Sequence, residues 1–266
     1  MSKPVLEYVD THCHLDNIYQ RIKKTPNYSF ESFTKNFEPG FAGCLTVFSD
    51  SFENTLQFLT NSFPNVYGAL GIHPHNAIIY NDEIEEALAN HMTNPKVVAL
   101  GEIGLDYHYD NSPRDVQRAV FERQLLLGVR LGKPIVIHTR EAEEDTITIL
   151  RRSMPKEHRF HVHCYTDSYN LAEMILNEWP NSFIGFTGVL TFPKSDSVKE
   201  VCSKIPLDRI LSETDGPYMA PVPFRGKAAT PGHIPYIIRE IARLHKVTDE
   251  EAFRVLRENC RRMYGF

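Results

Sequence analysis

The chain has 266 residues, of which 42% are hydrophobic and 24% are charged, and this composition is typical of a globular protein with a sizeable core. Its formal net charge of −5 argues against a broad basic surface that coats nucleic acid. The sequence has no apolar run of about 18 residues, which argues against a membrane span. The first residues show no targeting segment, and the five cysteines are scattered without a CxxC pair. We therefore expect a reducing compartment, the cytoplasm or, in a eukaryote, the nucleus.

Short apolar runs rich in β-branched residues alternate along the chain with segments of helical periodicity. In chain order the runs are YVDTHCHL (8–15), GCLTVF (43–48), VYGALGIH (66–73), VVALGEIGLD (97–106), PIVIHTR (134–140), RFHVHCYT (159–166), SFIGFTG (182–188) and RILSETDGPY (209–218). Nearly continuous apolar runs of this kind are typical of parallel strands that are buried on both faces. We therefore predict eight parallel strands.

The clearest helical segment lies between the fourth and fifth runs. Ser112 suits the N-cap position and Pro113 the first helical position. The apolar positions near one face are Val116, Val120, Leu126 and Val129. Eight strand-then-helix units predict a (β/α)8 TIM barrel that forms a single domain over residues 1–266. The alternative, a doubly wound sheet, predicts a glycine-rich phosphate loop after the first strand, and the sequence has none there.

Six residues with metal-binding side chains lie at or near the ends of the predicted strands. They are His12, His14, Glu102, His138, His163 and Asp215. His12 and His14 are two residues apart in a strand, so their imidazoles point to the same face. From His14 onward, the four gaps between successive candidates correspond to about three, one, one and two barrel units of roughly 30 residues, in agreement with the strand numbers. Because the strand ends of a barrel converge on one mouth, we predict a metal site there.

Other polar residues at the strand ends have competing interpretations. A lone histidine at such a position is more often a hydrogen-bonded core residue than a metal ligand. His73 and His75 either face the substrate or the metal ligands, or they form a structural turn held by Pro74. Asp10 either orients a ligand imidazole or forms a buried hydrogen bond at the strand end.

The motifs VDTHCHLD, GIHPH, GEIGLDY, PIVIHTREA, HCYTDS, GFTGVLTF and ETDGPYMAPVPFRGK resemble those of the TatD family of metal-dependent deoxyribonucleases, which have amidohydrolase-like barrels. The resemblance runs from about residue 8 to the C-terminus, with the motifs in the expected order. It implies a (β/α)8 fold and hydrolysis of DNA phosphodiester bonds at a one- or two-metal site, with 3′–5′ exonuclease action on single strands. The family's metal ligands correspond to the six residues named above, and Glu102 is expected to bridge two ions.

The predicted site carries positive charge, which suits an anionic substrate. Two divalent ions outweigh the carboxylates of Glu102 and Asp215, and neutral imidazoles add no charge. Metal ions lower the pKa of bound water toward ~7 and so supply hydroxide for in-line attack on phosphorus. Glu102 and Asp215 are the predicted catalytic residues, and we expect Asp215 to act both as a metal ligand and as a proton acceptor. Imidazole ligands favour Zn or Mn over Mg, so we expect two divalent ions per subunit, with Mg or Mn supporting turnover and Zn binding well.

Six residues near the predicted mouth are candidates for contacts with the substrate. They are His73, His75, Tyr107, Arg140, Arg225 and Lys227. Arg140 either contacts a phosphate oxygen or forms a surface ion pair with Glu141 or Glu144. Tyr107 either stacks on a base or fills the mouth of the barrel.

The main alternative function is that of a metal-dependent amidohydrolase acting on a small ester or amide, because one fold supports many reactions. Many such relatives bridge their metals with a carboxylated lysine, whereas the fourth strand here offers Glu102, which favours the nuclease. A non-catalytic metal-binding module and a DNA-binding scaffold are less favoured, because the ligand set is intact and the chain is acidic. We expect a monomer that acts on single-stranded DNA ends, with no membrane and no obligate protein partner.

Overall fold

A computed structural model of the chain describes residues 5–22, 29–49, 58–59 and 64–266, and it contains all eight predicted strands. The strands are β1 (Tyr8–Cys13), β2 (Phe41–Phe48), β3 (Val66–Leu70), β4 (Val97–Asp106), β5 (Ile135–Arg140), β6 (Phe160–Val162), β7 (Ser182–Phe186) and β8 (Ile210–Ser212). They follow one another in chain order in one sheet, and pairs such as β1–β2, β4–β5 and β5–β6 run parallel. Nearly all strand residues are buried, as the continuous apolar runs predict.

Helices follow most of the strands. Along the described residues they are α1 (Leu15–Arg21), α2 (Phe30–Thr34), α3 (Asp82–His91), α4 (Arg114–Leu131), α5 (Glu143–Ser153), α6 (Tyr169–Glu178), α7 (Asp196–Lys204), α8 (Ile234–His245) and α9 (Asp249–Tyr264). Short 3-10 helices cover Pro74–Ile79, Gly188–Thr191, Leu207–Arg209 and Pro231–His233. None of the helices in the described ranges has the length and apolar character needed to cross a membrane.

The chain divides into two compact units, each with its own packing. The first unit comprises Met1–Thr46, Ser62–Val66 and Gly185–Phe266, and the second comprises Val47–Asn61 and Tyr67–Ile184. The single domain expected over residues 1–266 stays a prediction.

In the first unit, the chain after β8 lies beside the end of β1. The backbone N–H of Asp215 donates to the carbonyl oxygen of His12 at 2.9 Å. The buried carboxylate of Asp10 accepts hydrogen bonds from the Thr214 hydroxyl (2.5 Å) and from the backbone N–H groups of Thr214 and His12. Burial raises the pKa of Asp10 to about 8, although these hydrogen bonds favour the carboxylate. Asp10 thus joins β1 to the chain after β8, which favours the strand-end alternative.

In the second unit, helix α4 holds the ends of two strands through buried glutamine side chains. Gln124 accepts a hydrogen bond from the N–H of Ile72 (2.8 Å) and donates one to its carbonyl (3.0 Å). Gln117 makes the same pair of bonds with the backbone of Asp106, at 2.8 and 3.1 Å. Each amide thus satisfies one backbone donor and one acceptor, and this fixes the chain where β3 and β4 lead into the candidate site.

Two details of the prediction for α4 are wrong. Pro113 rather than Ser112 occupies the N-cap position, and the Ser112 hydroxyl instead bonds the backbone of the 3-10 helix Pro74–Ile79. Leu126, which we expected on the apolar face, is 51% exposed. The buried face of α4 includes the two polar glutamines, which a pattern of apolar residues does not reveal.

Strands β6 and β8 are shorter than the apolar runs that predict them. Strand β6 ends at Val162, and Cys164 has a φ angle of 46°. Strand β8 ends at Ser212, and Asp215 has a φ angle of 49°. Left-handed backbone with a φ near 50° is incompatible with an extended strand, so the chain turns at these two residues and β6 and β8 end before them.

Candidate metal centre

His12 of β1, His14 directly after β1 and an aspartate after β8 meet in the first unit. Nε2 of His14 lies 3.4 Å and Nε2 of His12 lies 3.7 Å from Oδ1 of Asp215. The two imidazole rings are 5.2 Å apart and nearly perpendicular. All three side chains are largely buried. Three of the six predicted ligands therefore come together, and we call them the Asp215 group.

The backbone explains how these three side chains converge. The carbonyl of His12 accepts from the N–H of Asp215, and the N–H of His14 donates to the carbonyl of Gly216 at 2.8 Å. The left-handed backbone of Asp215 turns the chain shortly after β8, which ends at Ser212. The two histidines of the HxH motif thus lie opposite the aspartate that follows the last strand.

The second unit brings the other three predicted ligands together around one carboxylate oxygen. Oε1 of Glu102 lies 2.6 Å from Nε2 of His163 and 2.9 Å from Nδ1 of His138. Nε2 of His73 is 3.4 Å from the same oxygen. Glu102 is 3% exposed. We call these four residues the Glu102 group.

His73 combines the two alternatives that the sequence leaves open. Its Nδ1 accepts a hydrogen bond from the backbone N–H of His75 at 3.1 Å, which caps the 3-10 helix Pro74–Ile79. Its Nε2 faces Glu102, which agrees with the alternative that His73 faces the metal ligands. The role of His73 in substrate binding stays a prediction, and its position equally suits a metal ligand.

Hydrogen bonds set the charge of the Glu102 group. Burial alone would lower the pKa of His138, but hydrogen bonds to Asp106 and Glu102 raise it to about 9. Burial lowers the pKa of His73, and the nearby charge of Glu102 opposes this shift. The proton on His138 neutralises part of the negative charge. A metal ion would compete with that proton, because ligand imidazoles bind metals in the neutral form.

Asp106 is not among the predicted site residues, yet it contacts two imidazoles. Its Oδ2 lies 3.0 Å from Nε2 of His75 and 3.1 Å from Nε2 of His138. Its Oδ1 accepts from the backbone N–H groups of His108 and Tyr109. Burial would raise the pKa of Asp106, but hydrogen bonds from His138 and Tyr109 hold it well below its usual range. One signal was present in the sequence: Asp106 lies four residues after the predicted ligand of β4, on the same face.

Arg140 lies at the end of β5 with its guanidinium group 5.0 Å from the ring centroid of Tyr109. Among the described residues it forms no ion pair. Glu141, one of its two alternative partners, instead pairs with His108 at 2.7 Å. These contacts favour the phosphate alternative for Arg140, because its charge has no carboxylate partner in the described part of the chain.

Tyr107, in contrast, is held by several side chains. Its hydroxyl donates to Asp145 at 2.5 Å, and Arg118 reaches the same hydroxyl at 3.3 Å. The guanidinium of Arg114 covers its ring at 4.3 Å from the centroid. These contacts favour the structural alternative for Tyr107.

The last two predicted substrate residues lie in the first unit, in the segment after β8. The guanidinium of Arg225 lies 3.8 Å from the ring centroid of Phe192, and the ammonium of Lys227 lies 6.0 Å from that of Phe224. Both cations are exposed and each rests near an aromatic face. Their contact with a substrate stays a prediction.

The donor atoms of both groups suit divalent metal ions. In His12–His14–Asp215 and in His73–Glu102–His138, the possible ligand atoms lie within 4.8 Å of one another. Imidazole nitrogen with carboxylate oxygen is a donor set that binds Zn, Mn, Co and Fe. Buried carboxylates and imidazoles at such distances require either shared protons or a cation. The residues therefore fit metal ions, whereas the identity and number of the ions stay predictions.

The chain is similar in sequence to proteins of one family. The family model described as TatD related DNase matches residues 9–265. The human protein named "3'-5' RNA nuclease TATDN2" is 39% identical over 273 residues, which cover 99% of this chain and 36% of that protein. The Bacillus subtilis (strain 168) protein named "Uncharacterized metal-dependent hydrolase YabD" is 39% identical over 199 residues, 75% of this chain and 77% of that protein. The chain thus spans about a third of the length of the human relative.

A solved structure is similar over the whole chain. The crystal structure of YJJV, a TatD homolog from Escherichia coli K12, aligns with a TM-score of 0.85 and 26% sequence identity, and it covers 99% of this chain and 100% of that one. Together with the eight strands in chain order, this match confirms the predicted fold class, a (β/α)8 TIM barrel.

Proposed function

The chain belongs to the TatD related DNase family and is a metal-dependent hydrolase, and from this premise we propose that it cleaves the phosphodiester bonds of single-stranded DNA, starting at the 3′ end. The observation that carries the proposal is the pair of buried ligand groups described above, each with imidazole and carboxylate donors within reach of one another. Two cation sites favour an anionic substrate, and a phosphodiester is one.

We assign one divalent ion to the Asp215 group and one to the Glu102 group. His12, His14 and Asp215 would hold the first ion, and Glu102, His138 and His163 would hold the second. The expectation that Glu102 bridges both ions stays a prediction. Zn and Mn suit these donors best for binding, and we propose Mg or Mn for turnover.

Metal ions held by these residues would lower the pKa of water toward neutral and would offset the charge of the phosphate. The protein orients the ligands that make this possible. Asp106 holds His138 through Nε2, so that Nδ1 faces Glu102. The carboxylate of Asp215 lies 3.4 Å from Nε2 of His14, and we assign to it the role of accepting the proton released during attack.

The substrate strand needs cations beyond the metals. Arg140 supplies one in the second unit, and Arg225 and Lys227 supply two in the first. Arginine binds phosphate oxygens in a bidentate manner, so Arg140 is our first candidate for a phosphate contact. His75, whose Nε2 bonds Asp106, is a candidate for a second polar contact.

Digestion of end-labelled oligonucleotides tests the proposal. Single- and double-stranded DNA, and RNA of the same sequence, are incubated with the protein and Mg, Mn or Zn, and the products are resolved by length. We expect a ladder that shortens from the 3′ end of single-stranded DNA. The RNA arm is included because the human relative is named an RNA nuclease. Cleavage of RNA alone would overturn the choice of DNA as the substrate. The absence of cleavage with every metal would overturn the proposed nuclease activity.

The alternative amidohydrolase is tested in the same preparation. A panel of small esters and amides is offered beside a chromogenic phosphodiester, under each metal. Hydrolysis of an amide or carboxylic ester without hydrolysis of the phosphodiester would replace our proposal. The variant Glu102→Gln, purified in the same way, controls for contaminating hydrolases, because activity that it loses belongs to this protein.

A further inference from the structure

Tyr109 presents an exposed aromatic ring beside the Glu102 group. It is 56% exposed, although its backbone is fixed by a 3.1 Å hydrogen bond from its N–H to Oδ1 of Asp106. The ring of His75 lies 5.4 Å from it at 88°. Because Asp106 also holds His75 and His138, the position of Tyr109 is tied to that of the candidate ligands. A large apolar surface is thus held in place next to the reaction site and open to solvent.

Arg140 adds a positive charge to this ring. Its guanidinium lies 5.0 Å from the ring centroid, within the range of a cation–π contact. Arg140 lies two residues after His138 in β5, so both side chains start from the same face of the strand. The planar guanidinium on the ring leaves N–H donors for a phosphate oxygen. An aromatic face and a cation at this distance are the two components that single-strand binding sites combine.

Neighbouring Tyr107 does not offer the same surface. Tyr107 is half-buried, with Arg114 over its ring and Asp145 bonded to its hydroxyl, whereas Tyr109 stays exposed beside Arg140. The ring of Tyr109 is therefore the better candidate for stacking, although the two residues are nearly adjacent in sequence.

We propose that Tyr109 and Arg140 form a nucleobase-binding subsite, in which a base next to the scissile phosphate stacks on Tyr109 and Arg140 contacts the phosphate of that nucleotide. This inference rests on the proposed function and names the group of the substrate that this surface binds. Stacking is tolerant of sequence, because every base has a π face. The subsite therefore favours unpaired nucleotides over paired ones without selecting one base.

Fluorescence of 2-aminopurine reports the stacking directly. The base is placed at each of the last three 3′ positions of a single-stranded DNA whose phosphorothioate linkages resist hydrolysis, and the metal-loaded full-length protein is titrated in. We expect quenching at one position with the wild type and with Tyr109→Phe. We expect Tyr109→Leu to lose the quenching and to bind roughly 10-fold more weakly. Equal quenching by Tyr109→Leu, or none by the wild type, would overturn the subsite.

A second measurement separates the subsite from the nuclease function. Hydrolysis is compared on a normal oligonucleotide and on one that lacks the base at the quenched position. Tyr109→Leu should raise KM on the normal strand and have no effect on the abasic strand. Wild-type cleavage with equal KM values for both proteins on both strands would refute the subsite alone. Quenching without cleavage of any nucleic acid would support the subsite and refute the proposed function. Thermal unfolding of both Tyr109 variants checks that each is folded.

Discussion

Nε2 of His138 lies 3.1 Å from Oδ2 of Asp106, while Nδ1 of the same ring faces Glu102 at 2.9 Å. The carboxylate of Asp106 therefore fixes the orientation of an imidazole whose other nitrogen points into the Glu102 group. A hydrogen bond on the far side of a ligand imidazole selects its tautomer and strengthens it as a donor. Asp106 connects the fold to the chemistry, because its backbone is in turn held by Gln117 of α4.

Replacing Asp106 by Asn should weaken metal binding at the Glu102 group. The amide keeps the size of the side chain but removes the charge that favours a proton on Nε2 of His138. Loss of such an outer partner typically reduces metal affinity or activity about 10- to 100-fold. Calorimetric titration of the metal-free protein with Zn measures the effect.

Asp110→Asn is the matched control for this variant. Asp110 lies in the loop that follows Asp106 and pairs on the surface with Arg114 at 2.8 Å. Metal affinity should stay at the wild-type value in the control. Equal affinities in the two variants would show that Asp106 does not act through His138.

The strands could be predicted because a barrel strand is buried on both faces and so reads as an apolar run. The ends of β6 and β8 could not, because the sequence does not show that the backbone is left-handed at Cys164 and Asp215. Local composition carries no record of a single φ angle. The candidate ligands could be singled out for a different reason, namely that His and Glu at the ends of apolar runs are rarely placed there without a partner.

The surroundings of the ligands were harder to predict. Asp106 lay on the correct face of β4, but the sequence does not show which atoms its carboxylate meets. Tyr107 and Tyr109 are both aromatic residues in one loop, and only the contacts of Arg114 and Asp145 decide which ring is covered. The partners of Asp106 and the covering of Tyr107 both depend on contacts between residues far apart in sequence. A periodic pattern in the sequence does not show such contacts.

Replacing Glu102 by Gln should abolish hydrolysis and lower the number of metal ions bound per chain. One oxygen of Glu102 lies within 3.4 Å of three imidazoles, so its charge is central to that group. The metal content of the purified variant, measured by mass spectrometry after loading with Zn, checks the prediction. Glu144→Gln, at an exposed position on α5, is the control and should keep both properties. Wild-type activity in the Glu102 variant would exclude a catalytic role for this residue.

Replacing Arg140 by Ala should raise KM on single-stranded DNA more than it lowers kcat. A contact made equally in the ground state and the transition state affects binding alone. The loss of one phosphate contact should also reduce the slope of log KM against log salt by roughly 0.7. Steady-state kinetics at several salt concentrations measure both quantities. Arg130→Ala, which removes from α4 an exposed charge that pairs with Glu85 of α3, should leave the slope unchanged. A fall in kcat at constant KM would place Arg140 in the transition state instead.

Replacing Gly104 by Ala should destabilise the protein by about 2–5 kcal/mol. Gly104 has a φ angle of 147°, and an added Cβ atom would lie 1.8 Å from the carbonyl oxygen of His138. The clash should also displace His138 and weaken metal binding. Urea denaturation of the metal-free protein gives the free energy of unfolding. Gly132→Ala is the control, since Gly132 has a φ angle of 64° with no atom within 4 Å of the added Cβ. It should cost only about 1 kcal/mol, and an equal loss in both variants would refute the clash.

The free energy of unfolding should fall as the pH decreases from about 6.5 toward 4, in part through His233. Burial, aided by the charge of Lys227, lowers the pKa of His233 to about 4. Its neutral Nδ1 accepts from the N–H of Thr230 at 3.0 Å, and its ring stacks on Phe224. In the unfolded chain the pKa is near 6.5, so between these values the unfolded state binds a proton that the folded state excludes. The contribution is fully present above about pH 6.5 and falls by about 2 kcal/mol at pH 4.5.

His233→Asn keeps an acceptor but cannot take up the proton, so urea denaturation from pH 7.5 to 4.5 should show a shallower decrease. A decrease as steep as that of the wild type would mean that other groups cause it.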